Sequence, residues 1–594
     1  MRSPKEIRFR LSQELANIRL LLSPPRLPEK VAHGFPQNLP PVTLPVEGAA
    51  LIALADQLLQ HRFPLLGHEL ETGPEIRWRR DYVQGIEGGL EYFRRVPYLD
   101  AAKAGDHKII WELNRHQHLV VLARAWQVTG RREYLEEIAA QLRSWLEQNP
   151  CMRGINWASA LEVAFRALSW LRLLQLAGEE LPADLRRTLL TELFRHGVYL
   201  RHNLSVYFSP NTHLLGEAVV LHALGVAFPE WPQSAAWRAL GARVVNEEME
   251  NQVRSDGSHF EQSSAYHVYT VDMFALHAQL AGKVAAAYRD KLQRMVRYLA
   301  ALTPEDGYLP LLGDDDGGSL VYPYGPQRTF GRTALAGSGP GEAPVLFPDA
   351  GVAVLSRSPA HIVVDTKAFG YAGAGHSHAH ALSVVCRYQG CDVLADPGTY
   401  TYVGEPEWRT KFRGTAFHNT LRIDGLDQAA GSGPFRWMEK PETGVLCWLP
   451  QEEFVYLHAE CRYRGLRHER HFLWLKADEA LAVVDVVSGD SGVHLLEQFW
   501  HVSDPSVLVL PEGTQAQQEQ DWRSETPGAK FPGIVIRVPL ETKLPAVLGA
   551  MIHPGGGAGC KIRIEVEGDA ILLHRNGGHF LRFPMTANGL RPAG

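Results

Sequence analysis

Leu135-Glu136-Glu137-Ile138-Ala139-Ala140-Gln141-Leu142-Arg143-Ser144-Trp145-Leu146 repeats its large apolar residues at steps of three and four. That spacing gathers side chains on one face of a helix with about 3.6 residues per turn. The same rhythm recurs at Tyr288, Leu292, Met295, Val296 and Leu299, and fills the chain from about Trp111 to about Leu302. Short breakers divide it: Val128-Thr129-Gly130, Gln148-Asn149-Pro150, Ala177-Gly178 and Phe228-Pro229. Connections this short make neighbouring helices antiparallel hairpins. A long series of such hairpins can close into an α/α toroid.

Past Leu302 the pattern changes. A stretch rich in Gly and Pro, Gly325 to Pro344, leads into His361-Ile362-Val363-Val364-Asp365 and Ala381-Leu382-Ser383-Val384-Val385-Cys386. These are strands by length and β-branched content. Further strands are expected at Ala480 to Val487, Ser506 to Leu510, Gly533 to Val538, Lys561 to Val566 and Ala570 to His574, with no long helix among them. The expected fold is therefore multidomain α+β: an N-terminal α/α toroid over residues 1–325, then an antiparallel β-sandwich over 340–594.

The 594 residues are too many for one ordinary core, given roughly 100 to 200 residues per domain. Hydrophobic residues at 45% and charged residues at 21% exclude a disordered or collagen-like chain. A net charge of −6 is small for this length and gives no sign of a nucleic-acid partner. Any grip on a polyanion must come from a local cluster. The first residues, MRSPKEIRFRLSQELANIRLLLSPP, lack the uninterrupted apolar core of a signal peptide, and no stretch reads as a membrane span. The expected location is cytoplasmic, or periplasmic or secreted if a leader was removed. Six scattered cysteines, Cys151, Cys386, Cys391, Cys447, Cys461 and Cys560, show no metal-ligand spacing and read as mostly free.

Three segments are candidates for chemistry. Gly375-His376-Ser377-His378-Ala379-His380 places three imidazoles at period two, one face of a strand. Asp396 follows a hairpin turn at Gln389-Gly390, and His418 opens His418-Asn419-Thr420 as a further strand. Two histidines and a carboxylate from adjacent strands suit a divalent metal, and a hydrogen-bonded histidine cluster is the alternative. Ser209-Pro210-Asn211-Thr212-His213 sets Asn211 and His213 at a helix entrance, where they either hold a carboxylate or cap the helix. In Asp256 to Tyr269, Tyr266 and Tyr269 share a helical face, as packing residues or as part of a site.

Taken in order, several blocks resemble the heparinase II/III family of polysaccharide lyases: WELNRHQH at 111–118, GINW at 154–157, PNTHLLGEA at 210–218, DGSHFEQSSAYHVYT at 256–270, and HSHAHALS, DPGTYTY and WRTKFRGTAFHNT between 376 and 420. The resemblance spans roughly residues 60–575. It implies a toroid and sandwich with a shared cleft, an anionic polysaccharide as substrate, and β-elimination. It implies Tyr266 as the catalytic tyrosine, His376 facing it, Asn211 and His213 as the pair that neutralises the substrate carboxylate, and His378, Asp396 and His418 as ligands of one structural divalent metal, zinc first, manganese or calcium as alternatives. This chain departs in having Thr212 between Asn211 and His213, and His380 where many relatives have Asp.

Removing the C5 proton of a uronate requires donors aimed at the adjacent carboxylate, a base for the proton and an acid for the bridging O4. Tyr266 in its neutral state is a suitable acid. To act also as base, its pKa of about 10 must be lowered by groups such as His267, His376 or Arg413. In the other stereochemistry His376 is the base. Arg115, Asn156, Trp157, His267, Arg409 and Arg413 are candidate substrate contacts. Glycosaminoglycans lead as substrates, with alginate or a bacterial exopolysaccharide behind them. A hydrolase would need paired carboxylates about 5 to 9.5 Å apart, and Glu217 and Glu261 are the tempting pair. A glycan-binding protein without catalysis is the remaining class.

Overall fold

Helices Gln117–Thr129, Ala160–Ala177, Thr212–Ala227 and Ser264–Ala281 touch one another in that order and form the inner wall of a toroid. Glu133–Gln148, Ala183–Asn203, Ser234–Gln252 and Ala286–Leu302 pack against them from outside. Composition decides the layer. Thr212–Ala227 is mostly apolar, has no polar face and is almost wholly buried, whereas Glu133–Gln148 buries Leu135, Ile138, Leu142 and Trp145 and exposes Glu136, Arg143 and Glu147. Gly130 ends Gln117–Thr129 at φ 71°, a left-handed turn that suits a residue without a Cβ. The computed structural model describes residues 3–320, 322–324, 341–557, 561–567, 570–575 and 579–584. The expected domain limits at 325 and 340, most of the Gly325 to Pro344 stretch and Cys560 lie outside the described residues.

The β half is an antiparallel sandwich. A nine-stranded sheet runs from Gln517–Thr526 at one edge to Val345–Phe347 at the other, and a six-stranded sheet faces it. Ile362, Val364, Val384 and Trp500 of the first meet Leu457, Phe472, Leu481 and Ile552 of the second. The far side of the nine-stranded sheet belongs to the toroid: Phe347, Val352, Val354 and Val363 share one apolar cluster with Tyr298, Leu299 and Leu302. Strands Val352–Ser356 and Ala360–Asp365 are accordingly buried at every position, which explains their continuous apolar runs.

Several local expectations shift. The strand expected at Ala381 runs Ser383–Tyr388, and the one expected at Ser506 is mostly a 3-10 turn, Pro505–Val507, followed by Leu508–Val509. The hairpin turn at Gln389-Gly390 is present, with φ of 48° and 82°. The histidine segment, however, is not a strand. Ala372, Ala374 and Leu382 all adopt positive φ around it, so the chain loops there and its three imidazoles do not share a face. His418-Asn419-Thr420 likewise precedes its strand, Leu421–Ile423.

Candidate active site

A cleft of about 610 Å³ lies between the two halves. From the toroid it is lined by Asn211, His213, Glu261, Tyr266 and Tyr269, and from the β half by His376, Tyr402 and Phe435. Ser263 caps the helix Ser264–Ala281 by accepting from the Tyr266 N–H at 3.1 Å, which sets Tyr266 in the first turn at the cleft floor. The Tyr266 ring stacks on His376 with centroids 3.9 Å apart. Its hydroxyl is 3.1 Å from that of Tyr402, which is in turn 3.5 Å from His376 Nδ1. Burial, then the charge of Asp316, holds the Tyr266 phenol well above its usual pKa. The net shift is upward, the opposite of what a base would need, and the phenol stays protonated. Tyr269, one turn on, accepts from Arg115 at 3.0 Å.

Asp314 organises the β side of the cleft. It comes from the segment that leaves the last toroid helix, is fully buried, and accepts from His376 Nδ1 at 3.0 Å, His378 Nε2 at 2.8 Å and both Arg409 terminal nitrogens at 2.5 and 2.8 Å. The bond to Nδ1 gives His376 a defined tautomer, with Nε2 as the nitrogen left to accept a proton. Burial opposes a charge on His376, but the Asp314 hydrogen bond and the Glu261 carboxylate outweigh it and lift its pKa above the usual value.

Asn211 caps its helix and also reaches the cleft. Its Oδ1 accepts from the His213 N–H at 3.1 Å and caps Thr212–Ala227, while its Nδ2 reaches into the cleft and donates to Glu261 Oε1 at 2.6 Å. Glu261 also accepts from Thr212 and lies 3.6 Å from His376 Nε2. His213 lines the same wall, and burial lowers its pKa to about 4, so it enters as a neutral hydrogen-bond donor.

The expected substrate contacts are mostly committed elsewhere. Arg115 borders the cleft but is clamped by Glu162 at 2.7 and 2.8 Å and by Glu112 at 2.9 Å. Asn156 and Trp157 are fully buried: Asn156 donates to the Trp78 carbonyl and to Asn149, and Trp157 packs on His196 and Tyr199. His267 bonds the Met295 carbonyl at 2.9 Å, on the far side of its helix. Arg409 is held by Asp314, and Arg413 donates to the Gly433 and Pro434 carbonyls over the Trp437 ring. These two arginines therefore fix the loop that presents Phe435 to the cleft.

Behind His376 lies the histidine cluster. His378, His380 and His418 are buried, with ligand-capable atoms within 4.8 Å of one another. Each has one ring nitrogen facing a carboxylate: His378 towards Asp314 at 2.8 Å, His380 towards Asp365 at 3.1 Å and His418 towards Asp396 at 2.8 Å. The other three nitrogens, Nδ1 of His378, Nδ1 of His380 and Nε2 of His418, are buried without a hydrogen-bond partner. Three orphaned imidazole nitrogens, each backed by a carboxylate, fit a divalent metal. His380 joins His378 and His418 in this cluster, while the expected Asp396 accepts from His418 Nδ1 at 2.8 Å and lies 3.9 Å from His380 Nδ1.

The hydrolase pair does not form. Glu217 is fully buried away from the cleft, accepting from the Ser205 N–H and hydroxyl at 2.7 Å each. Burial raises its carboxyl to about 8. The free chain ionises near 4.5, so between those values the unfolded state releases a proton that the folded state keeps, and stability falls as pH rises. Glu217→Gln keeps the shape and removes the ionisation. Its unfolding free energy should exceed that of the parent near neutral pH by an amount on the order of a few kcal/mol, and the gap should close towards about pH 4. A constant gap across the series refutes this account.

Asp314 and Tyr402 were not singled out by sequence reasoning, and Glu261 was named only as half of the hydrolase pair. Glu261 and Tyr402 stand inside the blocks already noted; Asp314, in Gly313-Asp314-Asp315-Asp316, has no motif to mark it.

A helical toroid and an antiparallel sandwich thus share a cleft that holds a tyrosine–histidine pair. Residues 43–320 match the family model described as heparinase II/III N-terminus, and residues 339–572 the one described as heparinase II/III-like, C-terminal. The chain belongs to the heparinase II/III family of polysaccharide lyases. It is 23% identical over 495 residues to a heparin-sulfate lyase of Bacteroides stercoris, covering 74% of this chain and 68% of that protein. A heparin-sulfate lyase of Pedobacter heparinus is also 23% identical, with 77% and 69% covered. A crystal structure of heparinase III superposes with a TM-score of 0.70 at 17% identity, over 92% of this chain and 93% of that one, which shows the common fold.

Proposed function

We propose that the protein cleaves a uronate-containing glycosaminoglycan by β-elimination, leaving an unsaturated uronate at the new end. The observation that carries this reading is the Tyr266–His376 stack in the shared cleft, with His376 Nδ1 bound by Asp314. His376 Nε2 takes the C5 proton as the C4–O4 bond breaks, and the Tyr266 hydroxyl protonates the departing O4. Asn211 and His213 meet the charge that builds on the carboxylate. The similarity to heparin-sulfate lyases favours a glycosaminoglycan over alginate. Incubation with a panel of polyuronides, read by the ultraviolet absorbance of the unsaturated product, tests the proposal. Chain shortening without that absorbance would establish hydrolysis instead.

The histidine cluster holds one divalent metal in this reading, zinc above manganese or calcium, because three imidazoles are softer donors than the oxygens that calcium prefers. Bound there, the metal supplies fixed positive charge and ties His378 and His380 to His418, bracing the β wall of the cleft. His378 shares Asp314 with His376, so the brace reaches the base. Elemental analysis should find about one equivalent per chain, and His380→Ala and His418→Ala should each lower metal content and melting temperature. A metal-free protein of unchanged stability would eliminate the metal.

A further inference from the structure

The helix Pro4–Leu22 is attached to the toroid by one face only. Asn17 exchanges hydrogen bonds with Asn203 at 2.9 and 2.8 Å, Gln13 donates to the His202 carbonyl, and Leu20 is buried. The opposite face carries Ile7, Leu11, Leu15, Ile18 and Leu22, between 43% and 78% exposed. At about 100° per residue these five fall within roughly 80° of arc, one continuous stripe along the helix. A single exposed leucine is ordinary; five aligned aliphatics mark a surface that meets something apolar.

Charge beside the stripe narrows the partner. Lys5, Arg8 and Arg19 flank one edge, are exposed, and have no ion pair among the described residues. The two carboxylates of the helix are already engaged, Glu6 with Arg10 and Glu14 with Arg94 and Tyr92. The outward face is therefore apolar and cationic, with no unpaired anion. A second copy packed on it would bring the same three cations together without a counter-charge. An anionic lipid surface supplies both partners, acyl chains for the stripe and phosphates for the cations.

We propose that this helix docks the protein on an anionic lipid bilayer, lying flat at the boundary of headgroups and acyl chains. No described helix is long and apolar enough to cross a membrane. The same helix gives Phe9, Arg10 and Gln13, from its other sides, to the cleft lining. Docking thus holds the cleft rim about one helix diameter, ~10–12 Å, from the lipid.

Co-sedimentation of the full chain with vesicles of phosphatidylcholine, with and without phosphatidylglycerol, tests this. Binding should be at least about tenfold stronger with phosphatidylglycerol and should weaken as salt is added. Leu11→Ser/Leu15→Ser should abolish it, and Arg8→Glu/Arg19→Glu should reduce it at least about tenfold. Both variants should keep the parent melting temperature and circular dichroism, because none of the four side chains is buried. Absence of vesicle binding by the parent overturns the proposal, as does binding that both variants retain. A concentration-dependent dimer, lost in Leu11→Ser/Leu15→Ser and indifferent to vesicles, would assign the stripe to a second copy instead.

Discussion

Tyr266→Phe is expected to lower turnover by about 100-fold or more while leaving substrate binding nearly unchanged. The substitution removes one oxygen and keeps the ring, so the stack on His376 and the cap of the helix by Ser263 both persist. On the proposed mechanism, what is lost is the donor for the departing O4. Burial keeps the phenol protonated well past neutral pH, as an acid role requires. Tyr402, 3.1 Å from the Tyr266 hydroxyl, is next in line and also strongly held in its protonated form, so some residual activity through it is expected. Initial rates over a range of substrate concentration separate the cases. Near-normal turnover would move the acid to Tyr402 or Tyr269, and a raised KM with unchanged kcat would make Tyr266 a binding residue.

Asp314→Asn should be strongly destabilising. The side chain keeps its size but loses the charge that faces a buried guanidinium, and breaking a buried pair in this way costs about 3–5 kcal/mol. Arg409 has the Gly375 and Pro434 carbonyls left, which satisfy hydrogen bonds but do not neutralise it. Turnover should also fall, by about 100-fold or more, because an amide can turn its NH2 towards His376 Nδ1 and so favour the tautomer with the proton on Nε2, the wrong nitrogen for a base. Chemical denaturation and steady-state kinetics test the two effects separately. Arg409→Lys, which preserves the charge but not the fork, should recover part of the stability relative to Arg409→Ala. A stable Asp314→Asn protein with normal kcat would mean that His376 is positioned by something else.

Helical and strand periodicities were legible because they depend on neighbours a few residues apart, and they suffice to separate toroid from sandwich: Leu135 to Leu146 on one side, the doubly buried Ala360–Asp365 on the other. Tyr266, His376, Asn211 and His213 could likewise be picked from their motifs, and all four line one cleft. The histidine segment shows where local pattern fails. Period two suggested a strand, but Asp314 and Asp365 draw its rings to two different sites, and the backbone bends through positive φ beside it. Which arginine contacts the cleft and which is clamped depended on partners far along the chain. Arg409 finds Asp314 across 95 positions and Arg115 finds Glu162 across 47. A charge looks equally available in any sequence window; only the folded chain decides whether a buried counter-charge has claimed it, because desolvation makes an unpaired ion too costly to leave.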